Sequence, residues 1–132
     1  MPKIDDSREF IPVNIAILTV SDTRSSADDR SGDALNARAI GDGHVVIDRS
    51  IVKDEVSLIL KKLDHWINNT AIDVIISTGG TGFTGRDVTP EAFKAVFEKE
   101  IEGFGELFRW ISYQKIGTST IQSRAVAGVA KG

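Results

Sequence analysis

The fold of this chain is decided by IISTGGTGFTGRDVTP, residues 75–90, where an apolar run leads into a glycine-rich turn and then into a helix start. The apolar run predicts a buried strand, and Thr89 followed by Pro90 predicts the N-cap and first residue of a helix. Glycines allow positive φ angles and bring backbone N–H groups close to a bound oxyanion. Arg86 and Asp87 add one charge of each sign. The segment therefore predicts a binding loop for a phosphorylated ligand.

The glycine loop has one structural alternative, a sharp chain reversal, and two known nucleotide-binding motifs with which it can be compared. A glycine-rich turn also occurs where the chain simply has to reverse sharply, so a purely structural role stays open. Gly80, Gly82 and Gly85 satisfy the spacing of a dinucleotide-binding fingerprint, but that fingerprint needs its helix to begin among the glycines, and here the helix begins later. No Gly-Lys-Ser or Gly-Lys-Thr sequence follows, so the loop is not a Walker nucleotide-binding loop.

Composition bounds the size of the protein and the class of its partners. The 132 residues are expected to form one domain over 1–132, and 16 basic and 19 acidic side chains give a net charge of −3. No basic cluster exceeds Lys61-Lys62, so nucleic acid is not expected as a partner. The absence of cysteine excludes disulfides and thiolate metal sites. No apolar run has the length of a signal peptide or a membrane span, so we expect a cytoplasmic protein without a membrane partner.

Apolar runs alternate with segments of helical periodicity along the chain. This alternation is typical of an α/β protein with a mostly parallel sheet that helices cover on both faces. The carboxyl terminus departs from it, because it predicts a weak strand that no partner strand follows. The expected strands span 14–21, 44–52, 71–77 and 125–130, and the expected helices span 31–40 with Ser31 as N-cap, 54–68, a short segment after Pro90 and a segment that begins near Gly105.

Polar side chains follow each of the three predicted parallel strands. Ser21 and Asp22 come after the first strand, Asp54 after the second and the glycine loop after the third. The carboxyl ends of parallel strands face one crevice, so we expect these groups to converge. Asp87 could hold a magnesium ion beside a bound phosphate, although an Asx-turn would also account for it. Helix capping is the corresponding structural role for Asp54.

Side chains downstream of the loop form two further groups. Ser119, Ser123 and Arg124 belong to a hydroxyl-rich stretch next to an arginine, which could bind a phosphate or be an ordinary helix cap and surface. A set of aromatic residues has the spacing of core or subunit contacts. These residues are Phe104, Phe108, Trp110 and Tyr113.

Six segments of the chain carry a family resemblance when they are taken in this order and spacing. They are IAILTVSD (15–22), DRSG (29–32), IVKDE (51–55), TGGTG (78–82), RDVTPE (86–91) and GFGE (103–106). Together they resemble the MoaB/MogA family of molybdenum cofactor biosynthesis proteins, and residues 10–12 and 116–130 resemble the MoaB branch. The resemblance implies a three-layer α/β/α molybdopterin-binding fold that assembles as a homotrimer or a dimer of trimers. The last strand and the C-terminal helix of that fold are expected to be missing here, which would expose core surface.

The resemblance also implies an activity and the residues that carry it. Family members of the MogA type transfer AMP from Mg-ATP to the terminal phosphate of molybdopterin and release pyrophosphate. The important aspartates of the family correspond to Asp54 and Asp87, which are expected to be catalytic and to hold the metal. A molybdopterin-binding module without transferase activity and an inactive truncated fragment are the alternatives. The expected substrate-binding residues are Ser21, Asp22, Gly79, Gly80, Thr81, Gly82, Arg86, Ser119, Ser123 and Arg124, of which 79–82 correspond to the phosphate loop of the family.

Overall fold

Strands and helices alternate through residues 5–132, the part of the chain that the structure, a computed structural model, describes. Residues 1–4, which belong to the segment expected to lack a signal peptide, lie outside the described residues. Among residues 5–132, no helix combines the length and apolar character needed to cross a membrane. In chain order the elements are β1 (Asn14–Val20), α1 (Arg30–Gly41), β2 (Val45–Val52), α2 (Val56–Ile67), β3 (Val74–Thr78), α3 (Thr89–Val96), β4 (Lys99–Glu100), α4 (Glu102–Ile116), a 3-10 helix (Gly117–Gln122) and β5 (Gly128–Val129).

The central strand of the main sheet is β1, which is buried from Ile15 to Val20. β1 pairs in parallel with β2 on one side and with β3 on the other, so the strand order is β2-β1-β3. The register of the β1–β2 pair shifts between Ile15 and Ala16, which leaves Ile47 as an extra residue in β2. The predicted parallel sheet is confirmed, and the carboxyl ends of its three strands share one edge.

Alternate side chains of β1 enter two separate clusters, because successive side chains of a strand point to opposite faces of the sheet. Burial of each large apolar side chain contributes about 1.5–3 kcal/mol to stability. Helices cover both faces, so the layers are helix, sheet and helix, and the predicted α/β class is confirmed. One cluster contains Ile15 and Ile17 with Ala39 of α1, and the other contains Ala16, Leu18 and Val20 with Ile59, Leu63 and Trp66 of α2 and Ala92 of α3.

The start of α1 differs from the sequence prediction. Ser31 was expected to be the N-cap, but the helix begins at Arg30 and Asp29 is its N-cap. The Asp29 carboxylate accepts a hydrogen bond from Gly32 N at 3.0 Å, which satisfies one of the free N–H groups of the first turn. Asp29 and Ser31 are both residue types that cap helices. The prediction was wrong because it chose Ser31, the one closer to the apolar residues of the helix.

The starts of α2 and α3 also differ from the prediction by one or two residues. α2 begins at Val56, and its N-cap position makes no side-chain capping bond, so helix capping does not account for Asp54. Thr89 was expected to be the N-cap of α3 but is its first helical residue, with Val88 at the cap position. Pro90 lies in the first turn as expected, where its missing N–H costs nothing. Asp54 and Thr89 are therefore free for contacts other than capping.

The chain from β3 onward departs most from the prediction. β3 begins three residues later than expected, and α4 begins at Glu102 rather than near Gly105. The expected strand over 125–130 is reduced to β5, which pairs antiparallel with β4. The partner strand therefore precedes β5 in the chain, and the expectation of an unpartnered strand was wrong. A strand of two residues has no measurable alternation, so the sequence pattern could not indicate β4.

Candidate functional site

The groups that follow β1, β2 and β3 lie together at one edge of the sheet. Ser21 N donates a hydrogen bond to Val52 O at 2.8 Å, which ties the loop after β1 to the end of β2. Asp54 N then donates to Asp22 Oδ1 at 3.1 Å. The glycine loop reaches the same place, because a Cβ atom added at Gly80 would lie 2.8 Å from Asp54 Oδ1. The structure thus brings the predicted site residues of three separate loops into contact.

Arg86 reaches from the glycine loop to the loop after β1. Its Nη2 donates to Asp22 Oδ1 at 2.8 Å and its Nε donates to Asp22 Oδ2 at 3.0 Å. Nη2 also lies 4.0 Å from Glu55 Oε1. The hydrogen bond from Arg86 lowers the pKa of the Asp22 carboxyl group, and the same contact raises the pKa of Arg86. In this state the guanidinium group that was predicted to bind a phosphate is held by a carboxylate.

Two residues of the glycine loop adopt backbone angles that favour glycine. Gly79 has φ +95° and Gly80 has φ +67°. A Cβ atom would lie 2.2 Å from Val20 O at Gly79 and 2.2 Å from Thr89 Oγ1 at Gly80. Thr89 holds the loop from the other side, because its Oγ1 donates to Gly79 O at 2.8 Å and its N donates to Gly80 O at 3.1 Å. Close packing between β1 and α3 therefore accounts for both glycines.

Asp54 and Asp87 occupy different electrostatic environments although both belong to the same edge. Asp87 Oδ2 accepts hydrogen bonds from Thr84 N at 3.0 Å and Thr84 Oγ1 at 2.7 Å, and these bonds lower the pKa of Asp87. Burial raises the pKa of Asp54, and the negative charges of Asp22 and Asp87 raise it further. The Asp87 carboxylate therefore stabilises its own loop through hydrogen bonds to Thr84. The Asp54 carboxylate, in contrast, lies where neighbouring carboxylates disfavour its negative charge.

Carboxylate oxygens at this edge are the donors that could take part in holding a divalent cation. The three carboxylates of Asp22, Asp54 and Asp87 are close enough for the first and third to raise the pKa of the second. Mg²⁺ prefers oxygen ligands and is usually held by one or two carboxylates together with substrate phosphates and water. Among residues 5–132, no group of three or more His, Cys, Asp or Glu side chains is placed so that it could hold a metal ion by itself. Asp54 and Asp87 would therefore hold magnesium as part of a complex with a phosphate ligand.

Arg124 fastens the chain after α4 to the glycine loop. Its Nε donates to Gly82 O at 2.8 Å, its Nη2 donates to Asp87 O at 2.6 Å and its Nη1 donates to Glu91 Oε1 at 2.6 Å. Its backbone N also donates to Thr81 O at 3.3 Å. Every nitrogen of the side chain is thus engaged. In the structure Arg124 bonds the loop that was predicted to bind the phosphate, and phosphate binding by Arg124 itself stays a prediction.

The predicted serine ligands lie in different surroundings. Ser21 Oγ accepts hydrogen bonds from Thr23 N and Arg24 N, both at 3.2 Å, and so shapes the loop after β1. A hydroxyl group that accepts two bonds still has its own proton to donate, so Ser21 could bind a phosphate oxygen. Ser119 is exposed in the 3-10 helix, and Ser123 is half-buried just after it. Phosphate binding by the two downstream serines stays a prediction.

A buried carboxylate beside the site was missed by the sequence analysis. Asp29 is only 2% exposed and accepts hydrogen bonds from Thr19 Oγ1 at 2.9 Å and from Arg49 Nη2 at 3.3 Å, in addition to its capping bond. These contacts join α1, β1 and β2 at the point where the loop after β1 ends. The sequence does contain a feature that could have indicated Asp29. It lies three residues before Gly32, and an N-cap side chain accepts a hydrogen bond from the backbone N–H three residues later.

A cleft of about 590 Å³ opens between the loop after β1 and the end of β2. Its walls include Ser21 and Asp22 of the site together with Arg24, Arg49 and Lys53. This volume lies in the range of small-molecule sites. The basic groups were not singled out from the sequence, because they are separated along the chain and meet only after β1 and β2 pair.

This α/β fold, with carboxylates, an arginine and a glycine loop at the carboxyl ends of its parallel strands, is of the molybdopterin-binding class, and residues 16–131 match the family model described as "Probable molybdopterin binding domain". The chain belongs to this family and, within it, to the molybdenum cofactor biosynthesis proteins. It is 52% identical over 124 residues to Molybdenum cofactor biosynthesis protein B of Escherichia coli K12, a match that covers 94% of this chain and 73% of that protein.

Solved structures agree with this assignment. A crystal structure of Molybdenum cofactor biosynthesis protein B has a TM-score of 0.88 at 43% identity, over 93% of this chain and 77% of that one. The tungsten cofactor synthesizing protein MoaB from Pyrococcus furiosus has a TM-score of 0.82 at 35% identity, over 92% of this chain and 75% of that one. The family resemblance predicted from the sequence is therefore confirmed.

Proposed function

We propose that this protein binds molybdopterin and Mg-ATP at the edge where β1, β2 and β3 end, and transfers the adenylyl group of ATP to the terminal phosphate of the pterin. The observation that carries the proposal is the grouping of three carboxylates, one arginine and a left-handed glycine turn at that edge. Phosphoryl chemistry needs positioning and charge neutralisation rather than covalent participation of the protein, and this grouping supports both.

The proposed reaction needs little proton transfer. An oxygen of the pterin phosphate forms a bond to the α-phosphorus of ATP. The bond between that phosphorus and the oxygen leading to the β-phosphate breaks, and its electron pair leaves with pyrophosphate. The attacking oxygen is already anionic at neutral pH, so no general base has to remove a proton from it. Bound magnesium would supply positive charge to the phosphate oxygens.

The residues of the site have distinct parts in this proposal. Asp54 and Asp87 would hold magnesium, which would also relieve the mutual repulsion of the carboxylates. Arg86 would exchange Asp22 for a phosphate oxygen, since both are anionic partners for a guanidinium group. The backbone N–H groups of residues 79–81 would be neutral donors to the remaining phosphate oxygens, and the N–H of Gly82 bonds the Asp87 carboxylate.

Pyrophosphate release from ATP, with molybdopterin as acceptor, tests the proposal. We expect release that requires MgCl₂ and falls by at least about 100-fold in Asp54→Asn and in Asp87→Asn. Asp6→Asn, which removes the same charge at an exposed position, is the matched control and should keep the wild-type rate. Undiminished release in both site variants would exclude these aspartates from the reaction. A melting temperature that rises with molybdopterin should accompany the measurement, because a ligand that binds only the folded state stabilises it.

The hydrogen bonds that Asp87 accepts from Thr84 favour a second function. One oxygen of this carboxylate already accepts two hydrogen bonds from Thr84 within its own loop, which leaves less of it for a metal. This observation supports a module that binds the pterin without transferring a nucleotide. Molybdopterin binding that is equally tight without magnesium and ATP, combined with no release of pyrophosphate, would establish this function in place of transfer.

We also propose that the protein works as a homo-oligomer, a trimer or a dimer of trimers. The support is the surface of α4, where large apolar side chains are exposed that a single chain leaves in water. The aromatic residues that the sequence assigned to core or subunit contact are in this group, and Trp110 is 66% exposed. Sedimentation of the wild type and of Trp110→Glu tests the idea, with a trimer or hexamer expected only for the wild type. The exposed residues of α4 are Phe104, Leu107, Phe108, Trp110, Ile111, Tyr113 and Ile116.

A further inference from the structure

A second groove lies on the α2 side of the end of β2, beside the cleft of the predicted phosphate site, with which it shares residues 51–53. Its volume is about 740 Å³. Val52 of β2, which packs on the α2 side of the sheet, and Leu58 of α2 give it an apolar floor, and Ile51 lines it at the strand edge. Leu58, in the first turn of the amphipathic helix α2, is 38% exposed. An apolar floor that is open to water in this way is a feature of surfaces that other molecules cover.

The rim of this groove is basic although the whole chain is acidic. Lys53, Lys61, Lys62 and His65 line it, with Glu55 as the acidic member. Glu55 turns its charge toward Arg86, whose Nη2 lies 4.0 Å from its Oε1. In the part of the chain that the structure describes, none of the three lysines has its ammonium group within 4.0 Å of a carboxylate. The rim therefore carries positive charge without a carboxylate contact on a protein of net charge −3, and Lys62 Nζ lies 5.5 Å from the centroid of the Trp66 ring.

The groove is continuous with the edge of the main sheet. Among the strands of residues 5–132, β2 pairs with β1 alone, so its other side presents free backbone N–H and C=O groups. Its first half is protected by the extra residue Ile47 and by charged residues at positions 48 and 49, devices that discourage pairing with another strand. Its second half, Ser50–Val52, has neither device and borders the groove.

We propose that this groove docks an extended acidic segment of a partner protein, which adds a strand to the second half of β2. Main-chain hydrogen bonds to the edge would give affinity, alternate apolar side chains of the segment would cover Val52 and Leu58, and its carboxylates would meet the lysine rim. The combination favours a peptide over a nucleic acid, because a phosphate backbone would satisfy the lysines but neither the sheet edge nor the apolar floor.

The test uses an array of synthetic eight-residue peptides that alternate Asp or Glu with Val, Ile or Leu, with binding to the full chain measured by fluorescence anisotropy. We expect members with dissociation constants below about 100 μM and a loss of at least about tenfold in Lys61→Glu and in Leu58→Asn. Lys115→Glu, at an exposed position in the last turn of α4, is the charge-matched control and should bind as the wild type does. Thermal melts of all variants confirm that they are folded.

Two further measurements separate this occupant from others. The best peptide with N-methylated backbone amides should bind at least about tenfold more weakly, because a strand added to an edge needs its N–H groups. Hydrogen exchange should slow at residues 50–52 when the peptide is bound. Absence of binding across the array, binding that poly-glutamate reproduces, or protection of residues 50–52 by self-association of this chain alone would each overturn the proposal. Leu58 and Lys61 do not line the cleft of the phosphate site, so failure of this proposal is distinguishable from failure of adenylyl transfer.

Discussion

Arg86 and Asp22, which are 64 residues apart in sequence, form a two-bond ion pair at the edge of the predicted phosphate site. The distances are 2.8 Å from Nη2 to Oδ1 and 3.0 Å from Nε to Oδ2. Both side chains are well exposed, so the pair is screened by water and contributes little to the stability of the fold. Its importance is positional, because it joins the loop after β1 to the loop after β3 and keeps a guanidinium group next to the other carboxylates.

Replacing this arginine by lysine should separate charge from geometry. Arg86→Lys keeps one positive charge but loses the planar fork that bonds both oxygens of Asp22 or of a phosphate. We expect the affinity for pyrophosphate, measured by titration calorimetry in the presence of MgCl₂, to fall by about tenfold while the melting temperature stays near the wild-type value. Arg38→Lys, in the last turn of α1, makes the same exchange away from the site. Equal affinities in all three proteins would mean that Arg86 does not contact the anion.

The sequence predicted the sheet well because β1 and β3 are long apolar runs that carry their own signal. It predicted the place of the site for the same reason, since the carboxyl ends of parallel strands must meet. What it could not predict depends on pairing. β4 is two residues long and exists because the chain near Val129 returns to it. The hydrogen bonds of Arg124 to the glycine loop join residues that are 37 and 42 positions apart. A local sequence pattern cannot predict contacts at that separation.

Asp54 should destabilise the folded protein at neutral pH and be relieved by a cation. Burial and the charges of Asp22 and Asp87 raise its pKa in the folded state. A carboxyl group with a raised folded pKa favours folding below its unfolded pKa, about 3.9, and this advantage is lost as the pH rises through the folded pKa. Asp54→Asn should therefore melt at a higher temperature than the wild type at pH 7, and the difference should vanish as the pH falls below about 4.

The same reasoning predicts a magnesium effect on Asp54. Adding MgCl₂ should raise the melting temperature of the wild type and have a smaller effect on Asp54→Asn, because the variant has one charge fewer for the cation to neutralise. Scanning calorimetry between pH 4 and pH 8 measures both effects, with Asp6→Asn as the charge-matched control. A lower melting temperature for Asp54→Asn at pH 7 would contradict the electrostatic account of this site.

Arg124 should stabilise the glycine loop more than it stabilises the fold as a whole. Arg124→Ala removes bonds to two backbone carbonyls and to Glu91, and we expect a loss of about 2 kcal/mol in the free energy of unfolding. Hydrogen exchange at residues 80–88 should accelerate before exchange in β1 does. Glu91→Gln is the informative comparison, because it removes only the charge of one partner and should leave the loop protected. Loop protection in Arg124→Ala that equals the wild type would show that the arginine does not hold the loop.

Asp29 should be among the most sensitive polar residues of the chain. It is buried and joins Thr19, Gly32 and Arg49, so Asp29→Asn removes a buried negative charge and turns the oxygen that accepts from Arg49 Nη2 into an NH₂ donor facing that guanidinium group. We expect a loss of about 3 kcal/mol in urea unfolding. Asp33→Asn removes the other carboxylate partner of Arg49, but that side chain is 62% exposed and the cost should be below about 1 kcal/mol. Equal costs for the two variants would contradict the assignment of Asp29 as the anchor.

Gly79 provides a test of how closely the glycine loop is built against β1. A methyl group at this position would lie 2.2 Å from Val20 O, and the backbone has φ +95°, so Gly79→Ala forces the loop and the end of β1 apart. We expect a loss of about 3 kcal/mol or more in urea unfolding, together with weaker pyrophosphate binding, because the residue after Val20 leads directly into Asp22. Gly85→Ala is the matched control, since a Cβ atom there meets no atom within 4 Å, and its stability should stay within about 0.5 kcal/mol of the wild type. If Gly79→Ala unfolded at the same urea concentration as Gly85→Ala, the close contact between the glycine loop and β1 would not exist in solution, and the alignment of Asp22, Asp54 and Arg86 would have to rest on other contacts.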